Sequence, residues 1–146
     1  MRTPSQLRLS LIAVPLLFAC SSGSEWGTEL VRDIHDYQAT MYYSEAVDPA
    51  VANDVFDAMV EMNYNFRSDL PEQIDRVDGR LTLVLGNDNQ DTIASVIKNG
   101  EDEGAVNYMH GLAYVVSQAV GGEPVDIVLC RETLAEPFYT VVWTPE

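Results

Sequence analysis

The sequence predicts an α+β fold in which a sheet and helices form two packed layers. Three observations support this prediction. Asp78-Gly79 lies between two strand-like runs, and this dipeptide in that position is a strong short-range indication of a β-hairpin. Apolar residues recur at helical spacing over residues 49–62 and 105–120. Near the carboxyl terminus, residues 125–129 and 138–143 have the β-branched and aromatic character of strands.

The first half of the domain is predicted to run strand, helix, hairpin. Residues 40–43 combine a β-branched side chain with two tyrosines, which favours a strand. Asp48 suits the N-cap of the next helix, and Pro49 suits its first position because proline has no N–H to leave unpaired. The apolar side of this helix is formed by Val51, Val55, Met59 and Met62. The hairpin then pairs residues 72–77 with residues 81–85.

The second half is predicted to add helices and two strands. Asp91 suits the N-cap of a helix that begins near Thr92. The longer helix over residues 105–120 ends at Gly121-Gly122, because glycine readily terminates helices. Two strands complete the chain. Without the last of them the order is β-α-β-β-α-β, so we expect a ferredoxin-like two-layer sandwich with an extra C-terminal strand over residues 39–146.

Residues 20–38 are predicted to lie outside this domain. Residues 21–27 are rich in serine and glycine, which is typical of a flexible tether. Residues 29–37 carry apolar side chains at helical spacing, which predicts a short amphipathic helix that packs on the domain. These side chains are Leu30, Ile34 and Tyr37.

The amino terminus has the features of a bacterial secretion signal. Arg2 and Arg8 give it a positive charge, and residues 9–19 form an apolar run. This run is shorter than the roughly 20 apolar residues of a transmembrane helix. We therefore interpret residues 1–19 as a removable signal peptide.

The end of this signal, Leu17-Phe18-Ala19-Cys20, resembles the lipobox of bacterial lipoproteins. The resemblance implies that Cys20 becomes the first residue of the mature chain, with diacylglycerol on its thiol and a fatty acid such as palmitate on its amine. Ser21 resembles the residue that follows the cysteine in lipoproteins of the outer membrane, which face the periplasm, more than in those of the inner membrane. Because Phe18 stands where a small residue is usual, a non-lipid signal cleaved after Ser21 remains the alternative.

The composition is strongly acidic, and it excludes nucleic acid as an expected partner. The formal charge of the chain is −15, and removal of Arg2 and Arg8 with the signal peptide takes it to −17. Such a surface repels phosphate backbones. Lipidation of Cys20 would leave Cys130 as the single free thiol. Because Cys130 ends an apolar run, we expect a buried cysteine at a strand end and no internal disulfide.

A short pattern in the mature chain is formed by Tyr42-Tyr43, Asp48-Pro49, Leu129-Cys130 and Leu134. This pattern resembles a small α+β domain of unknown function that occurs in bacterial lipoproteins and membrane-tethered proteins. The resemblance covers residues 40–143. It implies the fold and an envelope location, and it carries no catalytic residue over to this chain.

No catalytic set and no cofactor are predicted. His35 and His110 are the only side chains whose ordinary pKa suits proton transfer near neutral pH, and they fall in different predicted helices. The sequence has no G-x-S-x-G elbow, no glycine-rich phosphate loop and no paired metal-binding cysteines.

The polar loop after the hairpin is the one stretch with the oxygen-rich composition that calcium prefers, with Asn87, Asn89 and Asp91 as weak candidate ligands. An EF-hand loop needs glycine at its sixth position and glutamate at its twelfth, and here Thr92 and Lys98 stand there. We therefore interpret this stretch as a solvated loop and predict no metal.

The sequence thus predicts a lipid-anchored, non-catalytic module of the bacterial cell envelope that binds a partner protein. The expected binding surface is the sheet face left open by the helices or the surface aromatics Tyr42, Tyr43 and Trp143. The alternative is a small periplasmic ligand-binding protein or hydrolase that uses carboxylates such as Asp88 and Asp91.

Overall fold

The computed structural model describes residues 25–66, 70–86, 103–130 and 137–146. In these ranges the chain forms six strands and two helices. They are β1 (Thr28–Ile34), β2 (Tyr37–Tyr43), α1 (Pro49–Glu61), β3 (Glu72–Val77), β4 (Arg80–Gly86), α2 (Glu103–Ala119), β5 (Val125–Cys130) and β6 (Pro137–Trp143). The predicted α+β class is confirmed.

All six strands belong to one sheet, and their order across the sheet is their order along the chain. Three antiparallel hairpins, β1-β2, β3-β4 and β5-β6, lie side by side. Neighbouring hairpins meet through parallel pairs, β2 with β3 and β4 with β5. A parallel pair needs a crossover connection, and α1 and α2 are those crossovers. The two helices contact each other, so they cover the same face of the sheet.

The helix α1 begins where the sequence predicts. The carboxylate of Asp48 accepts a hydrogen bond of 2.8 Å from the backbone N–H of Ala50, and Pro49 occupies the first turn. The apolar side of α1 packs on the sheet and on α2. Its buried residues are Ala52, Val55, Phe56, Ala58 and Met59.

The predicted hairpin is confirmed as β3 and β4. Asp78 and Gly79 have φ values of 51° and 80°, the left-handed conformation that a two-residue hairpin turn requires. The pairing of Ile74 with Leu83 fixes the register and directs both side chains towards the helices. The predicted strands near the carboxyl terminus are confirmed as β5 and β6, and Cys130 is buried at the end of β5 as expected.

Side chains alternate along each strand, so the sheet has a covered face, against α1 and α2, and a second face that these two helices do not cover. We call the second face the open face, although Thr82 and Val84 in its middle are buried. The covered face and the helices form the main hydrophobic core. Its largest fully buried members include Phe56, Met41, Met59, Ile74, Leu81, Leu83, Leu112 and Ile127. On the open face, Arg80 donates two hydrogen bonds, of 2.8 and 2.7 Å, to the carboxylate of Asp126.

Residues 29–37 do not form the predicted helix, and that prediction is wrong. Thr28–Ile34 is β1, which pairs with β2 along its whole length across a turn at His35. The apolar residues Leu30 and Ile34 are four positions apart, a spacing that fits a strand period of two as well as a helix period of 3.6. Pairing with the next strand, β2, decided between them. The sheet therefore begins before residue 39.

The strand order differs from the ferredoxin-like order that the sequence analysis predicts. In a ferredoxin-like sheet the two strands that flank a helix are separated by another strand, and all neighbours are antiparallel. Here the strands that flank each helix are direct neighbours and are parallel. The helix predicted to begin near Thr92 lies outside the described residues.

Two glycines give opposite predictions for stability. Gly27 has a φ of 106°, and a Cβ there would lie 2.1 Å from the carbonyl oxygen of Tyr43. Gly27→Ala should therefore destabilise the domain by about 2 kcal/mol or more, since a strained backbone alone costs of order 1–3 kcal/mol. Gly111 lies exposed in α2 with open space around it, so Gly111→Ala should stabilise by about 0.5–1 kcal/mol.

Urea unfolding of both variants beside the unchanged protein measures these differences. Equal destabilisation by the two substitutions would contradict the close approach of Gly27 to the end of β2.

Candidate functional site

The strand β6 forms one edge of the sheet, and no described strand pairs with its outer side. It has seven residues and contains no charged side chain. Thr140 and Val142 point to the open face, and Val142 is 64% exposed. A long edge strand without charged side chains lacks a common protection against the addition of another strand. Among the described strands, β6 is therefore an edge without charged side chains.

The opposite edge, β1, is built differently. It carries Glu29, Arg32 and Asp33 among its seven residues. The guanidinium of Arg32 lies 2.9 Å from Asp57 on α1 and also donates a hydrogen bond of 3.1 Å to the carbonyl oxygen of Val31. Charges on an edge strand oppose the addition of another strand. Of the two edges, β6 is the one that lacks this protection.

The three aromatics predicted as interaction residues are not brought together. Tyr42 lies on the open face, whereas Tyr43 packs against the hydrophobic core. Trp143 packs edge to face on Tyr114 of α2, with the ring centroids 6.0 Å apart. Tyr42 and Trp143 are thus on opposite faces with three strands between them, and they cannot form one surface patch.

A cavity of about 270 Å³ lies on the open face beside β1 and β2. One wall consists of Glu29, Gln38 and Thr40, and the aromatic rings of Trp26 and Tyr42 form another. Its remaining lining residues are Phe66, Leu70 and Pro71. The cavity combines aromatic, apolar and polar surface, which is the usual composition of a small-molecule site.

Trp26 is fixed in place at this cavity. Its ring meets that of Tyr42 edge to face, with the centroids 5.4 Å apart. Its carbonyl oxygen accepts a hydrogen bond of 2.6 Å from the amide of Gln73. The composition of residues 21–27 predicts a flexible tether, and Trp26 was not predicted as a site residue. A lone tryptophan in a serine- and glycine-rich stretch was the signal that could have shown it.

A buried carboxyl group lies on the covered face at the start of β3. Glu72 is only 2% exposed, and its Oε1 atom has no hydrogen-bond partner among the described residues. Burial raises the pKa of Glu72 from 4.5 to about 8, against the opposing effect of a hydrogen bond from the Tyr64 hydroxyl. Glu72 therefore carries a proton at neutral pH.

Two tyrosines share the surroundings of this acid. Burial raises the pKa of Tyr64, and the nearby Glu72 carboxyl adds to the increase. Burial, and then Glu72, also raises the pKa of Tyr108 on α2. All three groups are thus neutral near pH 7, and the cluster can donate and accept hydrogen bonds without carrying charge. It contains no nucleophile that such an environment would activate.

The remaining candidates are scattered or lie outside the described residues. His35 is exposed in the turn between β1 and β2, and His110 is exposed on α2. Burial raises the pKa of the Cys130 thiol, which disfavours the reactive thiolate. Within the described ranges, no three His, Cys, Asp or Glu residues are placed to hold a metal ion. The candidates outside those ranges are Cys20, Asn87, Asp88, Asn89 and Asp91.

Comparison with known proteins gives no match: no protein-family model, no curated protein and no solved structure matches this chain. The resemblances to a lipobox and to a small envelope domain therefore stay predictions.

The buried acid makes stability depend on pH. Between about pH 4.5 and pH 8 the folded protein keeps a proton on Glu72 that the unfolded chain has released. The stability linked to this proton is fully present below about pH 4.5 and is lost as the pH rises through 8. Glu72→Gln should remove this loss, because a neutral amide can still accept the hydrogen bond from Tyr64.

Urea unfolding between about pH 5 and pH 9 measures the effect, which should reach the order of a few kcal/mol in favour of Glu72→Gln at the alkaline end. Glu61 is exposed on α1, so Glu61→Gln is the matched control and should follow the pH profile of the unchanged protein. A Glu72→Gln variant whose stability falls with pH as steeply as that of the control would contradict a protonated Glu72.

Proposed function

We propose that this chain is a non-catalytic module of the bacterial cell envelope that binds a partner protein by accepting an added strand at β6. The observation that supports the proposal best is the contrast between the two sheet edges. β6 is uncharged over seven residues, whereas β1 carries three charged residues in the same length. In β-strand addition, the backbone groups of the edge supply affinity and the side chains on each face supply specificity.

The occupant of β6 is an extended segment of another protein with neutral or positive charge. Each arginine in the described ranges is ion-paired, Arg32 with Asp57, Arg76 with Glu123 and Arg80 with Asp126. The formal charge of the chain remains −15, so a second copy would meet strong like-charge repulsion. A basic or neutral partner would meet no such repulsion. Nucleic acid is disfavoured by the same charge.

The membrane anchor of the proposed module is the lipid on Cys20. Its support is the resemblance of Leu17-Phe18-Ala19-Cys20 to a lipobox. The chain between Cys20 and Thr28 can span at most about 25–30 Å when extended, which would keep the sheet close to the bilayer. Among the described residues, no helix is long and apolar enough to cross a membrane. The proposed location is the periplasmic side of the outer membrane.

Photo-cross-linking in cells tests the proposed edge. A photo-reactive phenylalanine derivative at Thr140 reports contacts of β6, and the same residue at Val31 is the matched control on β1. Both positions are exposed, and both point to the open face. We expect a defined adduct with one envelope protein from position 140 and none from position 31. A Cys20→Ala version should lose both the membrane association and the adduct.

A second pair of variants separates docking from folding. Val142→Lys adds to β6 the kind of charge that protects natural edge strands and should reduce the adduct at position 140 by about tenfold or more. Val31→Lys makes the same change on β1 and should leave the yield unchanged. An adduct that survives Val142→Lys, or that consists of two copies of this chain, would overturn the proposed mode of binding.

A further inference from the structure

The cavity beside Trp26 and Tyr42 has a lining that favours one class of small ligand. Among the described lining residues, Glu29 supplies the only carboxylate, and Trp26, Tyr42 and Phe66 supply aromatic rings. The described lining residues include no basic side chain, and Glu29 forms no ion pair with a described residue. Aromatic faces carry negative potential and attract cations, and a nearby carboxylate adds to that attraction.

The electrostatic field of the whole molecule also favours a cationic ligand. A formal charge of −15 raises the local concentration of cations at the surface and lowers that of anions. The three described arginines are held in ion pairs, and none of them lines the cavity. Anionic ligands such as phosphates and carboxylates therefore meet no counter-ion in the described lining.

The polar wall adds acceptors that a charged amine can use. Thr40 lies on β2 within this wall. The amide nitrogen of Gln38 donates a hydrogen bond of 2.9 Å to Asp33, so the amide oxygen of Gln38 is the atom with acceptor capacity left. A positively charged ligand that also carries a hydroxyl or N–H donor fits this arrangement.

We infer that this cavity binds an organic ammonium group, with Glu29 as its counter-ion and Trp26 and Tyr42 as its aromatic contacts. The ammonium is that of a small amine or of a lysine side chain. Because Glu29 is exposed, solvent weakens the attraction, and the affinity for the isolated group is millimolar. The site lies beside β1 and is separate from the β6 edge.

Trp26 is a built-in reporter for the test. The chain has two tryptophans, so Trp143→Phe leaves Trp26 as the single indole fluorophore. In this background, choline is titrated against dimethylbutanol, an isostere in which carbon replaces the charged nitrogen. We expect a saturable change in Trp26 emission with choline and none with the isostere. Blocked lysine, compared with blocked norleucine, tests the second source of the same group.

Three variants in the Trp143→Phe background test the assigned contacts. Glu29→Gln should weaken binding of choline roughly five- to tenfold. Tyr42→Leu keeps apolar surface but removes the aromatic face, and it should also weaken binding. Glu61→Gln removes the same charge from α1, on the other side of the sheet, and should change the affinity less than twofold, so it separates the counter-ion from the general field.

The titrations either support or overturn the binding of an ammonium group. Preference for choline or for lysine identifies the source of the ammonium and supports the inference. Equal binding of choline and its isostere would show an apolar site and overturn it. The same conclusion follows if Glu29→Gln binds as tightly as Glu61→Gln, or if no ligand changes the emission of Trp26.

Discussion

The arrangement of the whole domain depends on two parallel strand pairs, β2 with β3 and β4 with β5. A parallel pair cannot be closed by a tight turn, so each requires a helix that crosses from one end of the sheet to the other. The two helices contact each other, and both pack against the same hydrophobic core. They therefore lie on one face of the sheet. Neither of these two helices covers the other face of the sheet, and no described strand pairs with the outer side of β1 or of β6.

These exposed elements are where the proposed functions lie. The covered face is closed by the apolar residues of both helices, and Glu72, the one buried acid among the described residues, is kept neutral. The open face holds the cavity beside Trp26, and β6 supplies an edge without charges. Strand addition at β6 and ammonium binding beside β1 involve opposite edges of the sheet. The two activities can therefore be tested separately.

Local signals predicted much of this fold. Asp78-Gly79 fixed the β3-β4 turn, Asp48 and Pro49 marked the start of α1, and the glycine pair after α2 marked its end. The identity of β1 was not predictable in this way, because the spacing of Leu30 and Ile34 fits helix and strand equally. The strand order also escaped prediction, since the choice between adjacent and separated flanking strands depends on contacts between distant parts of the chain.

The candidate sites were less predictable than the fold. Glu72 is an ordinary acidic residue in the sequence, and its burial, with Tyr64 as its hydrogen-bond partner, depends on the packing of separate parts of the chain. The uncharged composition of residues 137–143 was visible, but its meaning depends on β6 lying at an edge. Trp26 and Tyr42 meet only because β1 folds back beside β2.

Strand addition at β6 is tested by amide hydrogen exchange, measured with and without a synthetic peptide of the partner segment that cross-links at position 140. If the peptide adds as a strand to β6, it should slow the exchange of those β6 amides that face outward. The exchange of the β1 amides should stay unchanged. Slower exchange at β1, with no change along β6, would contradict strand addition at β6.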